Sequence, residues 1–590
     1  MRDFLKNVGA TVVGMLLVGM IVIALGVMSV IGMVASSSQT KTLPKNSVLV
    51  LRLNGTLKEQ ASDAGMFSSL QGSTTLGMNE LLPAIRKAMA NDKIRGIYIE
   101  AGQLAAYPSQ LQELRAALLD FRRSGKWIIA YGEEYSQGCY YLASVADKIF
   151  LNPVGSVDWH GLGGETLYLK DLLAKIGVKA VPIKVGKYKS ATEMFTETKM
   201  SDADRQQTQR YLDGIWQTMT EGVARSRRLK TDSLNAWADR LISLDDAQVF
   251  VKNHMVDQLL YADQVKAAVK RRLNLEEGDL ISQVTPADMM AAPEKAEGGQ
   301  VAVYYMEGDI VNDASLMGFR NGETFIAARD VVRDLENLRT DDGVKAVVLR
   351  INSGGGDAFA SEQIWHAVQL LSKKKPVVVS MSGMAASGAY YLSCGAPYIV
   401  AEPNTLTGSV GIFGLLFDTT DLLNNKLNIH FDEVATNRNA TFGAAGKPMT
   451  AEQTYLLTKA IQRGYNLFKS RVAQGRHLTM EQVEERAQGH VFLGQDALKL
   501  KMVDELGGLD VAVRKAARMA RLTDYHTEDY PEAMGFMDQL LNQMMGSTDT
   551  VLDEQLQLHL GTLYQPLMML HRVQAMDRMQ MRAPYVMIMN

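Results

Sequence analysis

Val48-Leu-Val-Leu-Arg-Leu-Asn-Gly55 returns 253 residues later as Val301-Ala-Val-Tyr-Tyr-Met-Glu-Gly308. Each is a short apolar run closed by glycine, the pattern of a buried strand. Working outward, Ile94-Arg-Gly-Ile-Tyr-Ile99 pairs with Val344-Lys-Ala-Val-Val-Leu349, and Tyr140-Tyr-Leu142 with Tyr390-Tyr-Leu392. Asp171-Leu-Leu173 pairs with Asp421-Leu-Leu423, and Met255-Val-Asp-Gln-Leu259 with Met502-Val-Asp-Glu-Leu506. The offset drifts only from 253 to 247. Solenoid repeats run at about 20–50 residues, so this period marks duplication of a whole domain.

Within each copy, strand patterns alternate with helical ones. In the second, Ala346–Ile351 reads as a buried strand, and Ser361–Leu371 as a helix with Ile364, Ala367, Val368 and Leu371 on one face. Pro376–Ser380 is the next strand, and Ala386–Ser393 begins another helix. That order implies crossover units and parallel strands, an α/β fold. Residues 202–245 and 451–487 read as helical excursions. The chain then divides into a first repeat over 46–284, a linker over 285–300 carrying two prolines and Gly298-Gly299, a second repeat over 301–521, and a Met-rich tail over 522–590. The tail has no partner in the first copy and reads as amphipathic helix, for packing or for oligomer contact.

Gly9–Ala35 holds 27 residues without a charge. As a helix it would span about 40 Å, more than the ~30 Å hydrocarbon core of a bilayer. It is too long for the apolar core of a typical cleaved signal, although a signal cut near Val34-Ala35 is the competing reading. Arg2 and Lys6 lie on its short side, so residues 1–8 are expected in the cytoplasm and the rest beyond the membrane.

The 590 residues carry a net charge of -3, and 22% are charged against 47% hydrophobic. No basic field points to nucleic acid. Cys139 and Cys394 are the two cysteines; they offer no metal-ligand spacing, so no zinc site is expected. Two buried thiols is the ordinary reading, and a disulfide stays open in an oxidising compartment.

Chemistry is sought where the copies differ. The strand ending at Ile351 runs into Asn352-Ser-Gly-Gly-Gly-Asp357, where the first copy has Ala101-Gly-Gln-Leu-Ala-Ala106. Glycines there leave backbone N–H groups facing a ligand, or simply make a turn. Ser387 sits among small residues at a strand-to-helix junction and faces Gln137 in the repeat. It suits a nucleophile at a helix start, though serine there is more often a cap. Lys189 faces Asn439 in the repeat. A lysine acts as a base only when burial or nearby positive charge lowers its pKa; otherwise it is a solvated surface residue.

At these residues the chain resembles the long form of the signal peptide peptidase A family, bacterial membrane proteases. The resemblance covers nearly the whole chain and rests on Asn352-Ser-Gly-Gly-Gly356, Ala386-Ser-Gly-Ala389, Thr407-Gly-Ser-Val-Gly411 and Gly186-Lys-Tyr-Lys-Ser190. It implies tandem domains of the crotonase and caseinolytic-protease type behind an N-terminal transmembrane helix. It implies Ser387 as nucleophile, Lys189 as general base, Ser409 orienting the lysine, and the N–H groups of Gly355 and Gly388 as oxyanion hole. No metal or cofactor is implied. A bowl-shaped homotetramer on the outer face of the cytoplasmic membrane, degrading residual signal peptides and other hydrophobic peptides, is the expected assembly and role. Two positions depart from the family pattern: Gly354 stands where proline is usual, and Ala389 where glycine is frequent.

Competing expectations are an acyl-CoA enzyme of the crotonase type and a membrane scaffold with a decayed site. Nucleotide binding fits poorly, since no phosphate-loop spacing is present. A Ser–His–Asp triad drawn from the nine histidines is not excluded by spacing.

Overall fold

The computed structural model describes residues 14–15, 18–19, 42–60, 75–293, 297–314, 324–531 and 579–583. Apart from four helical positions, the anchor expected over 9–35 lies outside the described residues, and so does all of 1–8. Among the described residues no helix is long and apolar enough to cross a membrane.

Each repeat builds its own mainly parallel sheet. The first runs Thr75–Gly77, Ser47–Lys58, Ile94–Ala105, Trp127–Tyr135, Lys148–Val157, Gln258–Leu259, all parallel, with Gln283–Val284 also beside Ser47–Lys58. The second runs Val491–Leu493, Leu406–Gly408, Val377–Ala386, Val344–Ser353, Gly299–Glu307, Tyr525–Tyr530, and only Val491–Leu493 is antiparallel. The central strands are apolar on both faces because helices cover both sides. The preceding helix stops at Ser372, and Pro376 leads into the Val377-Val-Val379 run, which is buried throughout.

The strand over Val377–Ala386 is longer than expected, so the following helix begins at Gly388 rather than Ala386. The helix expected over 361–371 spans Ala358–Ser372, its start capped by the Asp357 carboxylate accepting the Ala360 N–H at 2.7 Å. The excursions are helices Asp202–Arg227 and Thr231–Asp239, and Ala451–Arg476 and Met480–Arg486. Over 285–300 the chain is not all open linker: Pro286–Met290 is helical and Gly299 begins a strand. The tail differs more. Its described strands are Tyr525–Tyr530, which pairs along the edge of the second repeat's sheet, and Gln580–Arg582, which fills the gap between Gly355–Asp357 and Ile412–Asp418. The remainder of the expected tail helix lies outside the described residues. Cys139 and Cys394 are free and buried.

A third sheet mixes the repeats. Its order is Phe325–Ala327, Asp309–Val311, Gly355–Asp357, Gln580–Arg582, Ile412–Asp418, Lys179–Val185. The last strand belongs by sequence to the first repeat, yet it pairs antiparallel with Ile412–Asp418, from Ile412↔Val185 to Asp418↔Lys179. The repeats also meet at a buried ionic cluster. The Arg350 guanidinium, fully buried, donates to Glu59 and Glu113, each at 2.6 Å, and to the Ser380 and Ser382 hydroxyls. Burial opposes the Arg350 charge, and the two carboxylates overcome it. At the same seam, Gly383 lies flat against the Tyr107 ring, where a Cβ would collide.

Candidate active site

The cross-repeat strand explains where Lys189 goes. After Val185 the chain turns at Gly186 (φ +106), whose missing side chain admits the Gln488 backbone. Tyr188 N–H then donates to the Gln488 carbonyl at 2.9 Å. Tyr188 stacks on His490 at 4.1 Å between ring centres. Gly489 and Gly411 press on the Lys189 backbone and stem: a Cβ on Gly489 would stand 2.7 Å from Lys189 N, and one on Gly411 3.3 Å from Lys189 Cδ. Lys189 is thereby 0% exposed. Its Nζ lies within hydrogen-bond distance of Ser387 Oγ at 2.6 Å, of Ser409 Oγ at 2.9 Å and of the Ser409 carbonyl oxygen at 3.2 Å. Burial holds its pKa well below the ordinary lysine value. Among the described residues no carboxylate touches the amine to oppose that effect, so burial acts toward the neutral form.

Ser387 ends the strand Val377–Ala386 and begins the helix Gly388–Ser393 with φ 57° and ψ -114°. A non-glycine residue in that region costs on the order of 1–3 kcal/mol and persists where the surroundings impose it. Here its N–H donates to the Gly408 carbonyl and its carbonyl accepts from Tyr391 N–H, both at 2.8 Å. Ser409 also has positive φ, 53°, with its N–H donated to the His490 carbonyl at 2.7 Å. The two serines therefore approach one amine from adjacent parallel strands, Val377–Ala386 and Leu406–Gly408, paired at Ala386↔Gly408.

Gly355 has φ +101, and a Cβ there would stand 2.7 Å from Gly388 N. The two glycines thus face one another beside Ser387. In this structure Gly355 N–H donates to Ser353 Oγ at 3.1 Å. The carbonyl of Gly354, which stands where the family usually has proline, accepts the Ala583 N–H at 2.7 Å. Ala389 is fully buried in the second repeat's core.

The counterparts in the other copy have structural duties. Gln137, opposite Ser387, fills its site: its Oε1 accepts from His160 and Gly161 N–H at 3.0 and 2.9 Å, and its Nε2 donates to the Gly161 carbonyl. Asn439, opposite Lys189, is exposed and accepts from Gln453. Among the described residues no histidine ring bonds to Ser387, and no cluster of His, Cys, Asp and Glu has the makings of a metal site. His490 is the histidine that stacks on Tyr188; burial and then Lys187 push its pKa down to about 4. The sequence reading missed Gln488 and Gly489, the seat of Lys189. Glycine at 489 was the available signal, because its φ of +76 and its contact leave no room for a side chain.

Comparison with known proteins agrees with the duplication. The profile of Peptidase family S49 matches residues 120–276 and 369–523, and that of Clp protease matches 308–405. "Protease 4" of Salmonella typhi is 34% identical over 582 residues, 94% of this chain and 90% of the relative. "Protease 4" of Haemophilus influenzae is 33% identical over 567 residues, covering 90% and 89%. "Serine protease SPPA, chloroplastic" of Arabidopsis thaliana is 28% identical over 484 residues, covering 81% and 70%.

Proposed function

Because this chain belongs to peptidase family S49 and is a serine protease, we propose that it is a membrane-anchored endopeptidase working through a Ser387–Lys189 dyad. The observation that carries the reading is the 2.6 Å contact between Lys189 Nζ and Ser387 Oγ inside a buried site. A neutral amine has two N–H bonds and one lone pair. The Ser409 hydroxyl and carbonyl oxygens are two acceptors for the N–H bonds, which leaves the lone pair for the Ser387 hydroxyl proton.

In the reaction, Ser387 gives its proton to Lys189 as its oxygen attacks the peptide carbonyl. The oxyanion is held by the Gly388 N–H and by the Gly355 N–H once it turns from Ser353. One such donor is typically worth about 3 kcal/mol. Collapse breaks the C–N bond and Lys189 returns the proton to the departing amine. Water then attacks the acyl carbonyl as Lys189 takes its proton, the ester C–O bond to Ser387 breaks, and Lys189 returns that proton to the Ser387 oxygen. No step calls for a metal or organic cofactor.

The substrates proposed are residual signal peptides and other hydrophobic peptides. The basis is the family likeness together with the uncharged segment 9–35, which would hold a homotetramer at the outer face of a bacterial cytoplasmic membrane. The test is labelling of the full-length protein in detergent by a fluorophosphonate, with the adduct located by mass spectrometry. Label on Ser387 that disappears in Lys189→Ala is expected. Equal labelling of the two proteins would remove Lys189 from the mechanism.

A further inference from the structure

Behind the lysine arm, one buried amide joins two segments that are far apart in the chain. Gln207 lies on the helix Asp202–Arg227 and is 1% exposed. Its Nε2 donates to the Tyr188 carbonyl at 3.1 Å and to Asp204 Oδ1 at 3.0 Å, and its Oε1 accepts the Val491 N–H at 3.2 Å. The partners dictate which way the amide points, since a backbone N–H can only donate and a carbonyl can only accept. Asp204, fully buried, also accepts the Ser190 hydroxyl at 2.6 Å. The residues before and after Lys189 are thus both tied to one turn of the same helix.

The far end of the bridge leads to the two serines. Val491 pairs with Gly408, whose carbonyl accepts the Ser387 N–H, and His490 accepts the Ser409 N–H. The helix is seated on that strand: a Cβ on Gly214 would stand 2.3 Å from Leu493 Cδ1, and Arg210 pairs with Asp496 at 2.9 Å on the exposed rim. The other copy lacks the bridge. Its equivalent helix, Ala451–Arg476, has the same 26 residues and a hydroxyl cap, Thr450 in place of Ser201. Counted from the caps, the position of Gln207 is taken there by Leu456, which is 49% exposed. The copy without the lysine has an apolar surface residue where the copy with it has a buried amide.

We propose that Gln207 is a positioning residue for the dyad, holding Lys189 in register with Ser387 and Ser409 by bridging Tyr188 to Val491. The proposal rests on the dyad reading of the site. Without the bridge the arm loosens and water reaches the amine. Burial is what keeps the Lys189 pKa low, so a wetter amine holds its proton to higher pH. The titratable groups bonded or stacked within the brace are Tyr188, Asp204 and His490, with Lys187 over the Tyr188 ring at 4.8 Å. Among the described residues the amine's own partners are Ser387 and Ser409.

The test uses the full-length protein in detergent, with peptide turnover followed across pH. Gln207→Met keeps the length of the side chain without its amide, and Gln207→Asn keeps the amide without its reach. In both, kcat is expected to fall about 10–100-fold with KM unchanged, and the acidic limb of the kcat profile to move to higher pH. Arg210→Ala, which loosens the same helix at an exposed ion pair, is expected to keep the wild-type profile. A limb that stays in place in a Gln207 variant folded by circular dichroism overturns the proposal, and so does a loss confined to KM. An equal shift in Arg210→Ala would overturn it too, because general loosening would then suffice. Wild-type turnover by Lys189→Ala would instead overturn the dyad reading, so the two failures are distinguishable.

Discussion

Lys189 Nζ and Ser387 Oγ stand 2.6 Å apart although 198 residues separate them in the chain. The contact exists because one strand of the first repeat is exported into a sheet of the second, along the register from Val185↔Ile412 to Lys179↔Asp418. Ser387→Ala and Lys189→Ala are each expected to lower kcat by about 10⁴-fold or more, and the double variant by little beyond that, since groups acting as a unit are non-additive. Peptide turnover by the four proteins checks this.

Ser409 touches the lysine and not the scissile bond, so its loss should be partial. Ser409→Ala removes the 2.9 Å acceptor and leaves the backbone carbonyl at 3.2 Å. The expected result is a fall in kcat of about 10–100-fold with KM unchanged. Ser409→Thr, which keeps the hydroxyl, should recover part of it. A fall confined to KM would contradict the orienting role.

Lys189 gives a prediction with a sign. Burial lowers its folded-state pKa well below the ordinary value, so between the folded pKa and about 10.4 the unfolded chain binds the extra proton. Stability therefore rises with pH through that window, and the buried amine costs stability below it. Lys189→Met keeps the shape without the ionisable group. It should be more stable than wild type at neutral pH, by about 1 kcal/mol, with the gap closing as pH approaches 10. Urea denaturation at several pH values measures it. A gap independent of pH would show that the amine is not the cause.

Gly489 tests the seat of the lysine. At φ +76, with a Cβ that would approach Lys189 N to 2.7 Å, Gly489→Ala should shift the amine and lower kcat at least about ten-fold, since a displacement near 1 Å can cost 10²-fold. Stability should fall by about 1–2 kcal/mol. The pH profile of kcat should move with the lysine's surroundings, which a purely structural lesion would leave in place.

The Arg350 cluster tests the union of the repeats. Arg350→Leu leaves Glu59 and Glu113 buried without their cation, and loss of one partner of a buried ion pair costs about 3–5 kcal/mol. Burial already pushes the Glu113 carboxyl up against the pull of Arg350, so protonation on removal of the arginine should relieve part of the cost at low pH. Denaturation of Arg350→Leu at pH 5 and pH 8 is expected to show the smaller deficit at pH 5.

The duplication and the parallel strands were legible because strand runs, glycines and crossover helices recur at a fixed offset, as in Val48–Gly55 and Val301–Gly308. Residues differing between copies led to Ser387 and Lys189, which meet in space, and the family resemblance added Ser409 beside them. Long-range pairing was not legible. Nothing local in Lys179–Val185 says that its partner is Ile412–Asp418, because antiparallel register depends on surfaces far apart in sequence. For the same reason Gln580–Arg582 read as part of a Met-rich helix: three residues carry too little period to separate strand from helix. The positive φ of Ser387 is likewise set by the Gly408 carbonyl that accepts its N–H, not by its own sequence.

The exported strand also orders events in time. Synthesis runs from the amino terminus, so the ribosome delivers Lys189 first, Ser387 198 residues later, then the strand that receives the lysine's arm at 412–418 and finally its seat at Gln488-Gly489. A chain arrested at any earlier point holds an amine with no hydroxyl, or both with nothing to bring them together. On the proposed dyad, a chain that stops before Gly489 lacks an assembled site and is expected to be inactive.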